Sequence, residues 1–355
     1  MPLLDLPNEL LQNISEYLDS ERYINAIAQA NRRLYRLLNS YLYHYNVQQS
    51  GSSALLWAAR HGQEATAPKL LEERANIQAT SDDNRAPLLL AAENGHTEVL
   101  KLLVDKGADV NAHCGYYGNA LQGASTIGHE EIVKLLVDKG ADVNAHGGYY
   151  GNALQGASTI GHKEIVKLLV DKGADVNAQG EYYGNALQAA SAGGHEEIVK
   201  LLVDKDADVN AQGGKYGNAL QAASFGGHEA VVRMLVDKGA DVNAQGGFYS
   251  NALQAASAGG HKEIVKLLVD KGADVNAHGG YYGNALQVAS AGGHKEIVKL
   301  LVDKGADVNA QGRHYGNALQ AAWYGGREAV VRLLRDKVLS RKSRARKISR
   351  GRNNL

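Results

Sequence analysis

Seven histidines, His96, His129, His162, His195, His228, His261 and His294, recur at intervals of 33 residues. Imidazole at a fixed spacing is a candidate for metal ligation or proton transfer. Two imidazoles on one zinc must each lie about 2 Å from the metal, whereas packed helices stand about 8–10 Å apart. One histidine per stacked unit therefore does not converge on an ion, and the column reads as structural, close to the start of a helix. His113 and Cys114 are adjacent, but no CxxC or HxxxH partner is near them, which argues against zinc. Glycine-rich loops such as HGGYYGN lack the Lys-Ser/Thr pair of a phosphate loop and do not join a strand to a helix. No nucleophile, base and orienting group recur together. These residues predict a protein that is not an enzyme and uses no cofactor or metal.

The positions in question sit in a chain of 355 residues with 41 glycines, 4 prolines and 2 phenylalanines. That imbalance points to one turn-rich unit copied many times. Formal net charge is zero, so the whole molecule has no bias toward nucleic acid or an anionic membrane. A single cysteine excludes an intramolecular disulfide. MPLLDLPNELLQ carries Asp5 and Glu9 and no basic n-region, and no window approaches the roughly 20 apolar residues of a membrane span. The expectation is an intracellular, soluble chain, monomeric when alone. From Lys337 to Leu355 there are eight basic residues and no acid. The segment over 340–355 reads either as a solvated disordered tail or as a signal for nuclear entry.

The repeat is explicit. Asn119, Asn152, Asn185, Asn218, Asn251, Asn284 and Asn317 stand 33 residues apart and open one phrase, as in GNALQAASAGGHEEIVKLLVDKGADVNA. The units fall at about 53–84, 86–118, 119–151, 152–184, 185–217, 218–250, 251–283, 284–316 and 317–339. Within each, Asn caps a first short helix, a glycine turn breaks it, and a second amphipathic run follows, as in Ile165, Val166, Leu168 and Leu169. Gly173 ends that run, and Asp206 replaces this glycine in one copy.

A 33-residue unit of two helices and a turn, with GADVNA at its end and Gly-His before the second helix, resembles the ankyrin repeat. The resemblance covers about Ser53 to Leu339 and departs from the family's Thr-Pro-Leu-His, writing Asn185, Ala186, Leu187, Gln188 instead. It implies an all-α solenoid of about nine units with hairpin-like loops, each unit burying its apolar face on its neighbours.

Ahead of the repeats, residues 1–48 show helical spacing without the 33-residue pattern, and three short helices fit. Leu6, Pro7, Glu9, Leu10, Leu11 and Ile14 match the opening of an F-box, and Tyr17-Leu18-Asp19 suits that family. The resemblance implies docking to a Skp-type adaptor of a cullin-RING ubiquitin ligase through Leu6, Pro7, Leu10, Ile14 and Leu18, in a protein class that looks fungal. The other reading is a helical cap on the first repeat.

Loop tips carry the variation. Tyr116, Tyr149, Tyr182, Lys215, Phe248, Tyr281 and His314 form one column, a candidate partner contact. The next column, Tyr117, Tyr150, Tyr183, Tyr216, Tyr249, Tyr282 and Tyr315, is tyrosine throughout and reads as packing between tips. Phe225, Trp323 and Tyr324 are further aromatic departures. Two functions compete: a subunit recruiting an unknown client to an SCF-type ligase, and a scaffold or inhibitor without a ubiquitin role.

Overall fold

Asparagine caps set the helix register. A computed structural model describes Val47 and residues 52–180, 182–312 and 314–337. The F-box-like module expected over 1–48 and the basic tail over 340–355 lie outside these described residues, Val47 apart. The chain divides into two compact units, Met1–Tyr149 and Tyr150–Leu355.

In the first unit the described helices are α1 (Ser53–Arg60), α2 (Ala67–Glu72), α3 (Pro87–Glu93), α4 (Thr97–Asp105), α5 (Ala120–Ile127) and α6 (Glu130–Asp138). In the second they are α7 (Ala153–Ile160), α8 (Lys163–Asp171), α9 (Ala186–Gly193), α10 (Glu196–Asp204), α11 (Ala219–Gly226) and α12 (Glu229–Asp237). There follow α13 (Ala252–Gly259), α14 (Lys262–Asp270), α15 (Ala285–Gly292), α16 (Lys295–Asp303), α17 (Ala318–Tyr324) and a helix α18 over 328–337. Within each unit, first helices of consecutive pairs pack on one another, as α11 does on α9 and α13.

The two helices of a pair differ in burial because their sequences differ. In α9, Ala186, Leu187, Gln188, Ala189, Ala190 and Ser191 are all buried, since small side chains let neighbouring first helices close on both sides. In α10 only Ile198, Val199 and Leu202 are buried, and charged residues face solvent. Leu187, Val199 and Leu202 are fully shielded from water, and burying one such side chain contributes about 1.5–3 kcal/mol.

Turns follow the expected residues. Asp206 has φ 64, the left-handed conformation that glycine supplies in the equivalent turns. Gly227 has φ +80, and a Cβ there would lie 2.5 Å from His261 Cε1 of the following repeat. Loop tips close as narrow hairpins through single antiparallel bridges such as Gly213–Gly217 and Gly279–Gly283.

Candidate binding surface

The tips are held by polar clamps, the first of which ties a helix cap to the loop that closes its own repeat. The Asn185 side chain accepts from Gln188 N at 2.9 Å, and the Gln188 side chain accepts from Asn185 N at 3.0 Å, a reciprocal capping box. Gln188 Nε2 also donates to the carbonyls of Ala211 and Gly217 in the next loop, at 2.8 and 3.2 Å. Gln155, Gln221 and Gln287 repeat this clamp on Ala178 and Gly184, Ala244 and Ser250, and Ala310 and Gly316. In the first unit Gln122 reaches Ala145 at 2.8 Å.

A second clamp lies at the base of each loop. Asp208 Oδ1 accepts from Asn210 N at 2.9 Å, and Asn210 Oδ1 accepts from Asp241 N of the next repeat at 2.8 Å. Asn210 Nδ2 completes the contact by donating to Gly239 O at 3.1 Å. The Asp-Val-Asn wording is thus an inter-repeat fastener. An ion-pair ladder runs beside it, with Lys271 on Asp237 at 3.2 Å and Lys304 on Asp270 at 2.8 Å.

The recurring histidines take structural places. Each of the seven immediately precedes a second helix. His228 Nε2 lies 3.0 Å from Ala192 O and His261 Nε2 lies 2.9 Å from Phe225 O, the ring nitrogen donating to a first-helix carbonyl of the preceding repeat. In the last repeat Arg327 Nε replaces the histidine and donates to Ala291 O at 3.1 Å. Among the described residues no group of three or more His, Cys, Asp or Glu is placed to hold a metal ion. Cys114 is buried beside Ala86 and Leu89, and that burial pushes its thiol above the usual range, away from the reactive thiolate.

The varied tip column does more than face solvent. In the first unit Tyr116 and Tyr149 stack, with ring centroids 5.1 Å apart and planes 19° from parallel, and Tyr149 N donates to Tyr116 O at 3.0 Å. In the second unit Lys215 N donates to Tyr182 O at 2.9 Å, and Phe248 N to Lys215 O at 3.1 Å. Phe248 stacks on Tyr281 at 6.3 Å, and Tyr281 meets His314 at 4.4 Å. The invariant column is half-buried and also stacks, Tyr249 on Tyr282 at 6.4 Å and Tyr282 on Tyr315 at 5.8 Å. Burial, with neighbouring tyrosines, raises the phenols of Tyr249 and Tyr282.

In the second unit both columns pack from tip to tip, because a 33-residue period brings a tip beside its copy. They differ in what remains open: Tyr116, Tyr149, Phe248 and Tyr281 are 55, 42, 46 and 51% exposed. Lys215 and His314 are also exposed, and Tyr182 is half-buried. Phe225, at the end of α11, fills the space between Tyr216 and Tyr249 at 5.9 and 4.9 Å, joining a first helix to the tips. Trp323 and Tyr324 are 70 and 68% exposed. Leu6, Pro7, Leu10, Ile14 and Leu18 lie outside the described residues.

The clamp glutamines were not singled out from sequence, although each stands three residues after its Asn cap in every regular unit. Their loop partners, 23 and 29 residues away, are visible only in the fold.

A comparison with curated proteins finds no match. A family model described as ankyrin repeats (3 copies) matches residues 24–114, 113–180, 154–246 and 244–312. Ankyrin repeats are protein-interaction modules, and with most of its length matched this chain belongs to the ankyrin-repeat family.

Proposed function

We propose that the repeats hold a client protein on their aromatic loop tips while residues 1–48 dock a Skp-type adaptor, making the chain a substrate-recruiting subunit of an SCF-type ubiquitin ligase. The observation that carries the client half is the exposed row led by Phe248 and Tyr281. Large rigid aromatics offer contact area at little entropic cost, and clamps beneath them limit what binding must order. The adaptor half rests on the sequence pattern Leu6, Pro7, Glu9, Leu10, Leu11 and Ile14. Binding of purified adaptor to the intact chain, and its loss in a Leu10→Asp, Ile14→Asp variant that keeps its circular dichroism spectrum, tests that half.

One observation favours a second reading. The ankyrin match begins at residue 24, inside the F-box-like segment. On that reading residues 24–48 extend the repeat array and shield its first face, and the protein is a scaffold or inhibitor without a ubiquitin role. No binding of adaptor by either form supports this reading.

A further inference from the structure

We infer that the open side of the last repeat is a second docking surface, which takes an acidic amphipathic helix of a partner protein. The inference goes beyond client binding at the tips and does not depend on it. It starts from positions that an internal repeat buries beneath the repeat after it. Leu286 and Ser290 of α15, and Val298 and Val302 of α16, are 1, 0, 0 and 4% exposed, and α17 packs on α15. In the last repeat the equivalent residues are Leu319, Trp323, Val331 and Arg335. Leu319 and Val331 are half-buried and Arg335 is exposed. Trp323 and Tyr324 are the most exposed large hydrophobic side chains among the described residues. The glutamine clamp also ends here. Gln287 Nε2 donates to two loop carbonyls, at 2.8 and 2.7 Å, whereas Gln320 is exposed and its Nε2 has no partner among the described residues.

Two substitutions set this face apart from a plain cap. The terminal surface of a solenoid is ordinarily polar, which keeps it soluble. Here the serine of six preceding repeats is replaced by Trp323, and the valine of seven by Arg335. Ser290 is fully buried, so a tryptophan at its place leaves no room for a further repeat stacked in the same register. The face combines Trp, Tyr and Arg with the aliphatic Leu319 and Val331, and Trp, Tyr and Arg are the residue types on which binding energy concentrates.

Geometry and charge select the occupant. On α15 these positions receive a helix, and a partner helix with an apolar stripe meets Leu319, Trp323 and Val331 from the same side. Arg332 pairs with Glu328 at 3.2 Å and Lys337 with Asp303 at 2.6 Å, while Arg335 has no carboxylate partner among the described residues. From Arg327 to Leu355 the chain carries 11 basic residues against two acids, Glu328 and Asp336. Carboxylates beside the partner's apolar stripe therefore meet complementary charge, and the Arg335 fork suits a carboxylate. Trp323 and Tyr324 meet edge-on, at 5.7 Å and 72°, and so do not offer parallel platforms to successive nucleic-acid bases.

The test uses the full-length chain in fluorescence anisotropy with four fluorescein-labelled probes. They are a helical peptide with leucines at helical spacing flanked by glutamates, the same peptide with lysines for glutamates, a scrambled glutamate peptide, and single-stranded oligothymidine. The glutamate helix should bind at least tenfold tighter than the lysine helix and the scrambled peptide. Trp323→Ser, which restores the residue of the internal repeats, should weaken that binding about tenfold and keep the melting midpoint. Arg335→Val should remove most of the preference for glutamate. A second readout does not depend on how Trp323→Ser folds. In a Trp57→Phe chain Trp323 is the single tryptophan, and its emission should move to the blue on adding unlabelled glutamate helix. Unchanged binding in Trp323→Ser, or an unmoved emission maximum, overturns the site. Equal binding of the glutamate and lysine helices overturns the acidic preference. Tighter binding of oligothymidine that Trp323→Ser abolishes overturns a protein partner. A gain of more than tenfold on removing residues 338–355 makes the chain's own tail the occupant, and sedimentation as a dimer that Trp323→Ser dissociates makes it a second copy; either overturns a separate partner.

Discussion

Gln188 and Ala211, 23 residues apart, are joined by an amide-to-carbonyl hydrogen bond of 2.8 Å that ties a first-helix cap to the loop that closes the same repeat. The same side chain serves Asn185 and Gly217, so a single buried amide fixes three backbone groups. Replacing it removes more than a cap. Gln188→Ala leaves the Asn185 amide and one bond to each of two carbonyls unmade, and should cost about 3 kcal/mol. Urea denaturation of the intact chain measures this, and Gln188→Glu should also destabilise because it keeps the acceptor and loses the donor.

Serine hydroxyls form a second buried column with the opposite consequence. Ser191, Ser224, Ser257 and Ser290 are completely shielded, and their oxygens have no hydrogen-bond partner. A buried unpaired hydroxyl costs about 1–3 kcal/mol, and alanine fits the same space. Ser224→Ala and Ser257→Ala should each stabilise the fold by about 1 kcal/mol and so raise the thermal midpoint, and scanning calorimetry on the double variant checks near-additivity.

Asp206 occupies a left-handed turn at φ 64, and the equivalent Gly173 and Gly239 have nothing within 4 Å of a built Cβ. The strain is therefore in the backbone and not in crowding. Asp206→Gly should stabilise by about 0.5–1 kcal/mol, since the contact from Asn177 goes to the backbone oxygen and survives. An unchanged or lower urea midpoint would contradict the assignment of strain to this residue.

Hydrogen bonds from Lys304 and Lys337 hold Asp270 and Asp303 below the ordinary carboxyl value of 3.8. A carboxyl whose pKa falls on folding stabilises above its unfolded value, and loses that contribution as pH drops through the lowered folded value. The ladder should therefore weaken below about pH 4. Both carboxylates are exposed, so the effect should be small and shrink with added salt. Thermal melts from pH 6 to 2.5 check this: Asp270→Asn with Asp303→Asn should flatten the acid limb.

Local features of the fold were legible in the sequence because their causes are local. Asn185 before Ala186, Gly173 after an amphipathic run, and His195 before Glu196 each specify a helix end within a few residues. The repeat period then implied stacking. What sequence did not reveal was the second partner of each residue. Gln188 is only one letter of the Asn-Ala-Leu-Gln wording until Ala211 is brought beside it, and His228 reads as a helix entry until Ala192 O lies 3.0 Å away. The candidate site divides likewise: the tip column from Tyr116 to His314 was visible as a column, whereas its stacking, the Lys215–Tyr182 contact and the filling of the Tyr216–Tyr249 gap by Phe225 depend on neighbours 33 or fewer residues away in a folded array.

The most direct test of client binding at the tips is site-specific photocrosslinking of the full chain in its own cells, with the photoreactive residue at Phe248 in one strain and at Lys266, on the exposed face of α14, in another. Client binding at the tips predicts a discrete covalent adduct from position 248 and none from 266. Adducts of equal yield from both positions, or from 266 alone, would contradict it.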